Sequence, residues 1–164
     1  VAQLGVEFFV AQAMVQKVPF AMETVFSHWK ELPEGGFESK VDKILEMQKA
    51  GYFVLLLFVG LANVELSIAR VCTRVSARGH NIEVPKLRER FPRTQRAIAV
   101  AKSVADATIF VDNSLGQEEA FRVCRIQLRD DTLYDVRTND DVSPAIREWL
   151  DVVAPFPSAD DNPT

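Results

Sequence analysis

The stretch Gly51-Tyr52-Phe53-Val54-Leu55-Leu56-Leu57-Phe58-Val59-Gly60 decides the fold of this 164-residue chain. Its eight central residues carry no charge and do not alternate between apolar and polar, and a glycine bounds them on each side. A short run of this kind is typical of a β-strand that helices cover on both faces. The sequence therefore predicts an α/β protein with a mostly parallel sheet, helices on both faces, and this stretch as a central strand.

Helical patterns flank this strand on both sides. Apolar spacing, caps and prolines predict five helices, over residues 1–17, 38–50, 64–77, 85–105 and 144–153. Asn63 and Ser143 are placed to accept hydrogen bonds from first-turn N–H groups, while Pro85 and Pro144 stand at first helical positions. The regular return of helices between apolar runs supports the α/β interpretation.

Further strands are predicted on either side of the central run. Two further apolar segments, residues 20–24 and residues 107–111, are each predicted to be a short strand. Residues 25–36, which follow the first of these segments, are predicted to be a loop. Residues 121–128 and 132–136 surround a polar turn, which predicts a C-terminal hairpin at the edge of the sheet, followed by the last helix. One domain is expected over residues 1–154, with a loose tail over residues 155–164.

Composition excludes several classes of protein. Apolar residues make up 48% of the chain and charged residues 26%, and 19 basic against 23 acidic side chains give a net charge of −4. These values exclude a disordered chain and argue against a general nucleic-acid coat. Cys72 and Cys124 lie in apolar stretches without a CxxC motif, which indicates reduced thiols and no metal site. The apolar runs are too short to span a bilayer and no leader is visible, so we expect a cytoplasmic protein without a membrane or nucleic-acid partner.

Polar residues follow the predicted strands, where the ligand sites of α/β sheets gather. Glu23 and Thr24 end the first strand, and Asp112-Asn113-Ser114 follows the strand at residues 107–111. Glu23 has two interpretations: it orients a substrate hydroxyl or acts as a base, or it caps the next loop.

Arginines are concentrated between residues 70 and 96. Arg70, Arg74 and Arg78 are spaced four apart on one face of the third helix, and four more follow on the next helix, at Arg88, Arg90, Arg93 and Arg96. Such a row is either a solvated helix face or a lid that closes over a phosphate-rich ligand, because guanidinium forks match phosphate oxygens.

Taken in order, several short segments resemble zeta-toxin-like P-loop kinases over roughly residues 1–116. They are Phe20-Ala21-Met22-Glu23-Thr24, Ala50-Gly51-Tyr52, Val59-Gly60, Glu65-Leu66-Ser67-Ile68-Ala69-Arg70-Val71, Arg74-Val75, Gly79-His80, Val84-Pro85, residues 88–93 and Asp112-Asn113-Ser114. The resemblance implies a P-loop-kinase-like fold that uses ATP and Mg²⁺ to phosphorylate a small acceptor, such as UDP-N-acetylglucosamine or a related nucleotide sugar.

The resemblance also implies roles for individual residues. Glu23, with Thr24, looks like the acceptor-binding pair, and Arg70 looks like the first of two arginines that neutralise the transferring phosphate. The second of these arginines is Arg78 or Arg74. Binding of the nucleotide is expected from a further set, Asp112, Asn113, Arg88 and Arg90. An antitoxin-like protein or a second copy of the chain is the implied macromolecular partner.

Two departures from the family pattern matter. Val25 stands where the family often has a threonine, and no GxxxxGK[ST] phosphate loop occurs in the 164 residues. We therefore expect the C-terminal bulk of a kinase whose loop is truncated, lost or supplied by another chain, and which is inactive alone. The alternative is a non-catalytic module that binds a nucleotide, an anion or a protein.

The strand that leads into this loop normally lies within the sheet, so its absence predicts a gap beside the central strand. Either a dimer or an exposed apolar patch near Val54, Leu56 and Phe58 should follow.

Overall fold

A computed structural model describes residues 2–76, 82–116 and 118–156, with side chains from Leu4 onward. Five helices are present: α1 (Ala2–Gln16), α2 (Val41–Lys49), α3 (Val64–Ser76), α4 (Val84–Val104) and α5 (Pro144–Val153). Six strands accompany them: β1 (Trp29–Glu31), β2 (Phe37–Ser39), β3 (Leu55–Gly60), β4 (Ala107–Asp112), β5 (Arg122–Leu128) and β6 (Asp131–Asp135). The protein is α/β, as predicted. Arg78, the Gly79-His80 turn and most of the predicted tail lie outside the described residues.

The main sheet has four strands in the order β3-β4-β5-β6. Strands β3 and β4 are parallel, but β4 pairs with β5 and β5 pairs with β6 in antiparallel fashion. The prediction of a mostly parallel sheet is therefore wrong, and the sheet is mixed. The physical reason is the short connection from β4 to β5, because a parallel return needs a crossover of a dozen or more residues. The predicted C-terminal hairpin is confirmed as β5 and β6.

Strand β3 lies at the edge of this sheet rather than in its centre. Its side chains alternate: Leu56 is buried, while Leu55, Leu57 and Val59 are 54%, 59% and 43% exposed. The prediction that helices cover both faces of this strand is wrong. The predicted exposed apolar patch is present, but it is formed by these three residues, and Leu56 belongs to the core. A gap beside this strand was also predicted: β4 pairs directly with one edge of β3, and a groove lies along the strand and the segment at residues 20–26.

The core lies on the other face of the sheet, under α2, α4 and α5. Phe110 of β4 is fully buried, and its ring meets those of Phe58 and Trp149 at centroid distances of 6.2 and 6.3 Å. Edge-to-face contacts of this kind add to the burial of apolar area. Trp149 and Leu150 bring α5 onto the sheet, so the last helix closes the core.

Both predicted caps are confirmed. The Leu66 backbone N–H donates to Asn63 Oδ1 at 3.0 Å at the start of α3, and Ser143 Oγ accepts from the Ile146 N–H at 3.4 Å at the start of α5. These side chains satisfy first-turn donors that have no partner inside the helix.

The segment between α1 and α2 differs from its prediction. Residues 20–24 do not form a strand, and the predicted loop at residues 25–36 contains β1, which pairs with β2 in an antiparallel hairpin. Strand β2 takes up the first two residues of the predicted second helix, so α2 begins at Val41 rather than at residue 38. Trp29 and Phe37 stack across this hairpin with ring centroids 4.0 Å apart. Gly35 and Gly36 have positive φ angles of 91° and 85°, which glycine adopts without steric cost, and they allow the tight turn.

Helix α1 has a buried face and an exposed apolar face. Ala13 is buried, whereas Leu4 and Phe8 are 70% and 68% exposed on the other face. The C-terminal end of the helix is attached through Tyr52, whose hydroxyl oxygen lies 2.7 Å from the Ala13 carbonyl oxygen and 3.0 Å from that of Val18.

A buried ionic network fastens the C-terminal hairpin to α5. Asp135 Oδ2 lies 2.6 Å from a guanidinium nitrogen of Arg125 and 2.6 Å from one of Arg137, and the side chains of all three are at most 3% exposed. Arg137 reaches Asp151 of α5 at 2.6 Å. Burial alone raises the pKa of the Asp135 carboxyl, but the hydrogen bonds from Arg137 and Arg125 outweigh it and hold this pKa below its usual range.

We predict that Asp135→Asn lowers the free energy of unfolding by about 3–5 kcal/mol, because two buried guanidinium groups lose their shared carboxylate. In the wild type, the stabilisation from this carboxylate is complete above about pH 4, the unfolded pKa of aspartate, and is lost as the pH falls through the lowered folded pKa. Urea unfolding at pH 7 and pH 3 measures both effects.

The matched control is Glu89→Gln, which removes a carboxylate from the exposed Arg93 pair and should leave the urea midpoint unchanged. Equal effects of the two substitutions at pH 7 would contradict the role of the network.

Candidate functional site

The parallel pairing of β3 and β4 places the ends of the two strands side by side. Gly60 pairs with Asp112, and the Asn113 N–H donates to the Gly60 carbonyl at 2.9 Å. Beyond β4 the chain turns, since the Ser114 N–H donates to Asp112 Oδ1 at 2.9 Å. Ser114 Oγ then accepts from the Ala62 N–H at 2.7 Å, so the two loops that leave the sheet are tied together.

Arg70 reaches these strand ends from α3. One terminal nitrogen of its guanidinium group donates to the Asn113 carbonyl oxygen. The side chain is half-buried, and among the described residues no carboxylate forms an ion pair with it. Arg70 is therefore held in place by a neutral acceptor, and no described carboxylate shares its charge through an ion pair.

Asp112 is 1% exposed, and its Oδ2 atom has no hydrogen-bond partner among the described residues. Cys124 lies next to it on β5, where burial raises the pKa of the thiol to about 11. At neutral pH this thiol stays protonated, so it is not an activated nucleophile. The role of Asp112 in the structure is to organise the turn after β4, because its Oδ1 atom accepts a hydrogen bond from the Ser114 N–H.

The remaining predicted arginines lie on the surfaces of α3 and α4. Arg88 forms an ion pair with Glu65 at 2.7 Å, and this pair joins α4 to α3. The hydrogen bond from Arg88 holds the pKa of the Glu65 carboxyl below its usual range. Arg74 and Arg90 are exposed, and the described part of the chain places no carboxylate within ion-pair distance of either. Arg78 lies outside the described residues.

Glu23 and Thr24 occupy a different part of the surface. Both line a groove of about 940 Å³ beside β3, and Glu23 also lines a cavity of about 440 Å³ against α1. Arg70 lines neither of these cavities. The structure thus brings Arg70 together with Asp112 and Asn113, whereas the convergence of Glu23 with Arg70 stays a prediction.

Sequence reasoning placed Ser114 at the strand end but missed two links made by side chains near the site. Ser114 joins the two strand-end loops and Glu65 joins α3 to α4. The Asp112-Asn113-Ser114 sequence carried a usable signal, because an aspartate that accepts from the N–H two residues later is a recurring turn. The long-range Glu65–Arg88 pair has no such local signal.

The donor set of this site suits an anion. It contains the half-buried guanidinium group of Arg70, whose N–H donors match the oxygens of a phosphate, while Arg74 and Arg90 are exposed on α3 and α4. No group of three or more metal-ligating side chains occurs within residues 2–76, 82–116 and 118–156.

Comparison with protein-family models, with curated proteins and with solved structures finds no match to this chain. The helices of the described segments include none with the length and hydropathy needed to cross a membrane.

Gly60 is predicted to tolerate no side chain. A Cβ atom there would overlap Cζ2 of Trp149 and lie 3.1 Å from the Phe58 ring. Gly60→Ala should therefore destabilise the protein by about 1–3 kcal/mol. In a Trp149→Phe background the smaller ring should reduce this cost, which a double-mutant cycle of urea unfolding measures.

Gly5→Ala is the matched control, since nothing lies within 4 Å of a Cβ atom at this helical position. It should leave stability unchanged or raise it by about 0.5–1 kcal/mol. The close approach at Gly60 would be refuted by an equal cost of Gly60→Ala in both Trp149 backgrounds.

Proposed function

We propose that this chain is the acceptor-binding and arginine-lid part of a zeta-toxin-like kinase with a P-loop-kinase-like fold. Such a kinase transfers phosphate from ATP to a small acceptor, of which UDP-N-acetylglucosamine or a related nucleotide sugar is the proposed class. The observation that carries the proposal is Arg70, which is anchored at the carboxyl end of β4 by a neutral carbonyl and forms no ion pair with a carboxylate of the described residues.

Phosphate chemistry explains why such an arginine is useful. Charge builds up on the oxygens of a phosphoryl group during transfer, and a fixed guanidinium group stabilises that charge without reorganisation. A guanidinium that already shared a carboxylate would offer less of its charge. The bond to Asn113 fixes the position of Arg70 and leaves further N–H donors for a ligand.

The other residues take roles that fit their positions. Glu23 is an exposed carboxylate on the wall of the groove, where it would accept a hydrogen bond from an acceptor hydroxyl, with Thr24 beside it. The Glu65–Arg88 pair holds α3 and α4 together as one lid. Arg74 and Arg90 add positive charge to this lid, and Arg78 keeps its proposed role as the alternative to Arg74.

The residues present do not make a complete site for ATP and Mg²⁺. The sequence contains no GxxxxGK[ST] loop to cradle the phosphates, and the described residues hold no cluster of metal ligands. Asp112 does not replace a cluster of metal ligands, because its carboxylate is buried and one of its two oxygens already accepts from the Ser114 N–H. We therefore propose that this chain binds the acceptor and contacts the phosphates of the nucleotide through its arginines, and that the loop is supplied from outside residues 1–164.

A second candidate is a non-catalytic module that binds a nucleotide, an anion or a protein partner. The described arginines suit it as well, because an arginine lid binds phosphate without a phosphate loop but cannot by itself align the phosphate for transfer. An antitoxin-like protein or a second copy is the proposed partner in either case, and both candidates are proposed to act in the cytoplasm.

We predict that the 164-residue chain binds a fluorescent ATP analogue such as trinitrophenyl-ATP, and that Arg70→Ala weakens this binding by about 10- to 100-fold. That range corresponds to about 1.5–3 kcal/mol for one hydrogen bond to a charged group. Lys49→Ala removes an exposed cation at the end of α2 and should change the affinity less than twofold. Fluorescence titration at fixed ionic strength checks both variants.

With radiolabelled ATP and UDP-N-acetylglucosamine, the chain alone should transfer no phosphate, because positioning and charge stabilisation by the loop supply most of the catalysis. Transfer by the chain alone, or unchanged nucleotide binding in Arg70→Ala, would contradict the proposal. The coding sequence upstream of Val1 separates the two candidates. A GxxxxGK[ST] motif within about one strand-loop-helix unit supports the kinase, and its absence supports the binding module.

A further inference from the structure

The Arg70 side chain ends on the backbone carbonyl of Asn113, to which its guanidinium group donates. Arg70 stands in the second turn of α3, and a free arginine side chain populates many rotamers. The bond to this carbonyl selects one of them. The orientation of the Asn113 carbonyl therefore determines where the charge of Arg70 lies.

The Asn113 carbonyl belongs to the same planar peptide unit as the Ser114 N–H. In a trans unit these two groups point in opposite directions. The Ser114 N–H donates to Asp112 Oδ1 at 2.9 Å, so the carbonyl on the other side of the plane points away from this oxygen and meets Arg70. Asp112 thus holds the peptide unit in the orientation that the bond to Arg70 requires.

The Ser114 side chain ties the same peptide unit to the start of α3. Its Oγ atom accepts from the N–H of Ala62, in the loop between β3 and α3, at 2.7 Å. The next residue, Asn63, caps α3 by accepting from the Leu66 N–H at 3.0 Å. The serine hydroxyl therefore joins the peptide unit that holds Arg70 to the helix that carries Arg70.

Asp112 is too deeply buried to contact a ligand itself. Its side chain is 1% exposed, and its Oδ2 atom has no hydrogen-bond partner among the described residues. The bond from the Ser114 N–H is therefore the contact through which its carboxylate affects the strand end. A buried carboxylate with an unpaired oxygen is costly, and an asparagine would accept the same bond without burying a charge.

We infer that Asp112 and Ser114 are positioning residues that set the affinity of Arg70 for phosphate, by orienting the Asn113–Ser114 peptide unit and tying it to α3. Asp112, which the family resemblance implies to bind the nucleotide, acts through Arg70 and does not touch the ligand. The inference rests on the proposed function for its ligand, a nucleoside triphosphate. The placement of the guanidinium group does not depend on that function.

The first test is a titration of the 164-residue chain with trinitrophenyl-ATP at fixed ionic strength. Asp112→Ala and Asp112→Asn both remove the carboxylate charge, but the asparagine keeps an oxygen that accepts from the Ser114 N–H. We expect Asp112→Ala to bind about fivefold more weakly than Asp112→Asn, as the loss of one hydrogen bond implies. Ser114→Ala should weaken binding by a similar factor, whereas Ser114→Thr keeps the hydroxyl and should bind within about twofold of the wild type.

These effects should require Arg70. In an Arg70→Ala background, Asp112→Ala and Ser114→Ala should each change the affinity by less than about twofold, because residues that act through a side chain lose their effect with it. Asp106→Ala is the matched control and should also stay within about twofold. Asp106 accepts from the Val54 N–H at 2.8 Å, at the opposite end of the strands. Near-ultraviolet circular dichroism confirms the fold of each variant, and Ser114→Ala carries the test if Asp112→Ala does not fold.

The second test observes the Arg70 guanidinium group by NMR without a ligand. A guanidinium group that is held by a hydrogen bond rotates slowly about its Nε–Cζ bond, so its terminal N–H protons give separate signals. We expect separate signals in the wild type and in Asp112→Asn. Asp112→Ala and Ser114→Ala should each give an averaged signal.

Three results would overturn the inference. The first is an equal loss of affinity in the wild-type and Arg70→Ala backgrounds, which would show a general structural role. The second is wild-type affinity of both Asp112→Ala and Ser114→Ala. The third is a set of separate Arg70 signals that neither substitution changes. A wild-type chain that binds no nucleotide would contradict the proposed function instead, and the NMR result would then decide whether Asp112 and Ser114 position Arg70.

Discussion

The parallel pairing of β3 with β4 is the constraint on which the rest of this structure depends. Six residue pairs, from Leu55 with Ala107 to Gly60 with Asp112, set the register. At the opposite end of the strands, Asp106 Oδ2 accepts from the Val54 N–H at 2.8 Å and so fixes where the pairing begins. The same register brings the polar residues after β4 beside Gly60, and among the described strands none pairs with the other edge of β3.

Two sets of arginines in the described part of the chain have different electrostatic roles. Arg125 and Arg137 are buried with Asp135, and their charges stabilise the hairpin against α5. Arg70 donates to a neutral carbonyl and Arg74 is exposed, and neither forms an ion pair with a described carboxylate. The number and spacing of arginines in the sequence do not distinguish these two sets, because the difference depends on which strands pair. The strand pairing thus decides which arginine charges are available to a ligand.

Much of the local structure could be predicted because its causes are local. The helices follow from apolar spacing, and the caps at Asn63 and Ser143 act within one turn. The C-terminal hairpin follows from two apolar runs around a polar turn. The β1–β2 hairpin escaped prediction because its strands are three residues long, too short for an alternation pattern.

The sheet could be predicted only in part, because the coverage of a strand by helices and the pairing of one strand with another are tertiary interactions that the local sequence does not specify. An uninterrupted apolar run indicates a strand but not how many of its faces are covered, so Leu55 and Leu56 look alike in sequence although one is exposed and the other buried. The exposed patch was expected on the Leu56 face for the same reason. For the site, the link from Arg70 to Asn113 spans two elements. The family resemblance placed both residues in one site, but no local pattern specified their contact.

The most direct test of the β3–β4 pairing is residue-resolved amide hydrogen exchange of the 164-residue chain, measured by NMR. The pairing predicts an alternation along β3, in which the amides of Leu56, Phe58 and Gly60 are protected by bonds to β4. Those of Leu55, Leu57 and Val59 should exchange far faster, because they face the open groove. Uniform protection of all six amides would contradict the open edge, and uniform fast exchange would contradict the pairing itself.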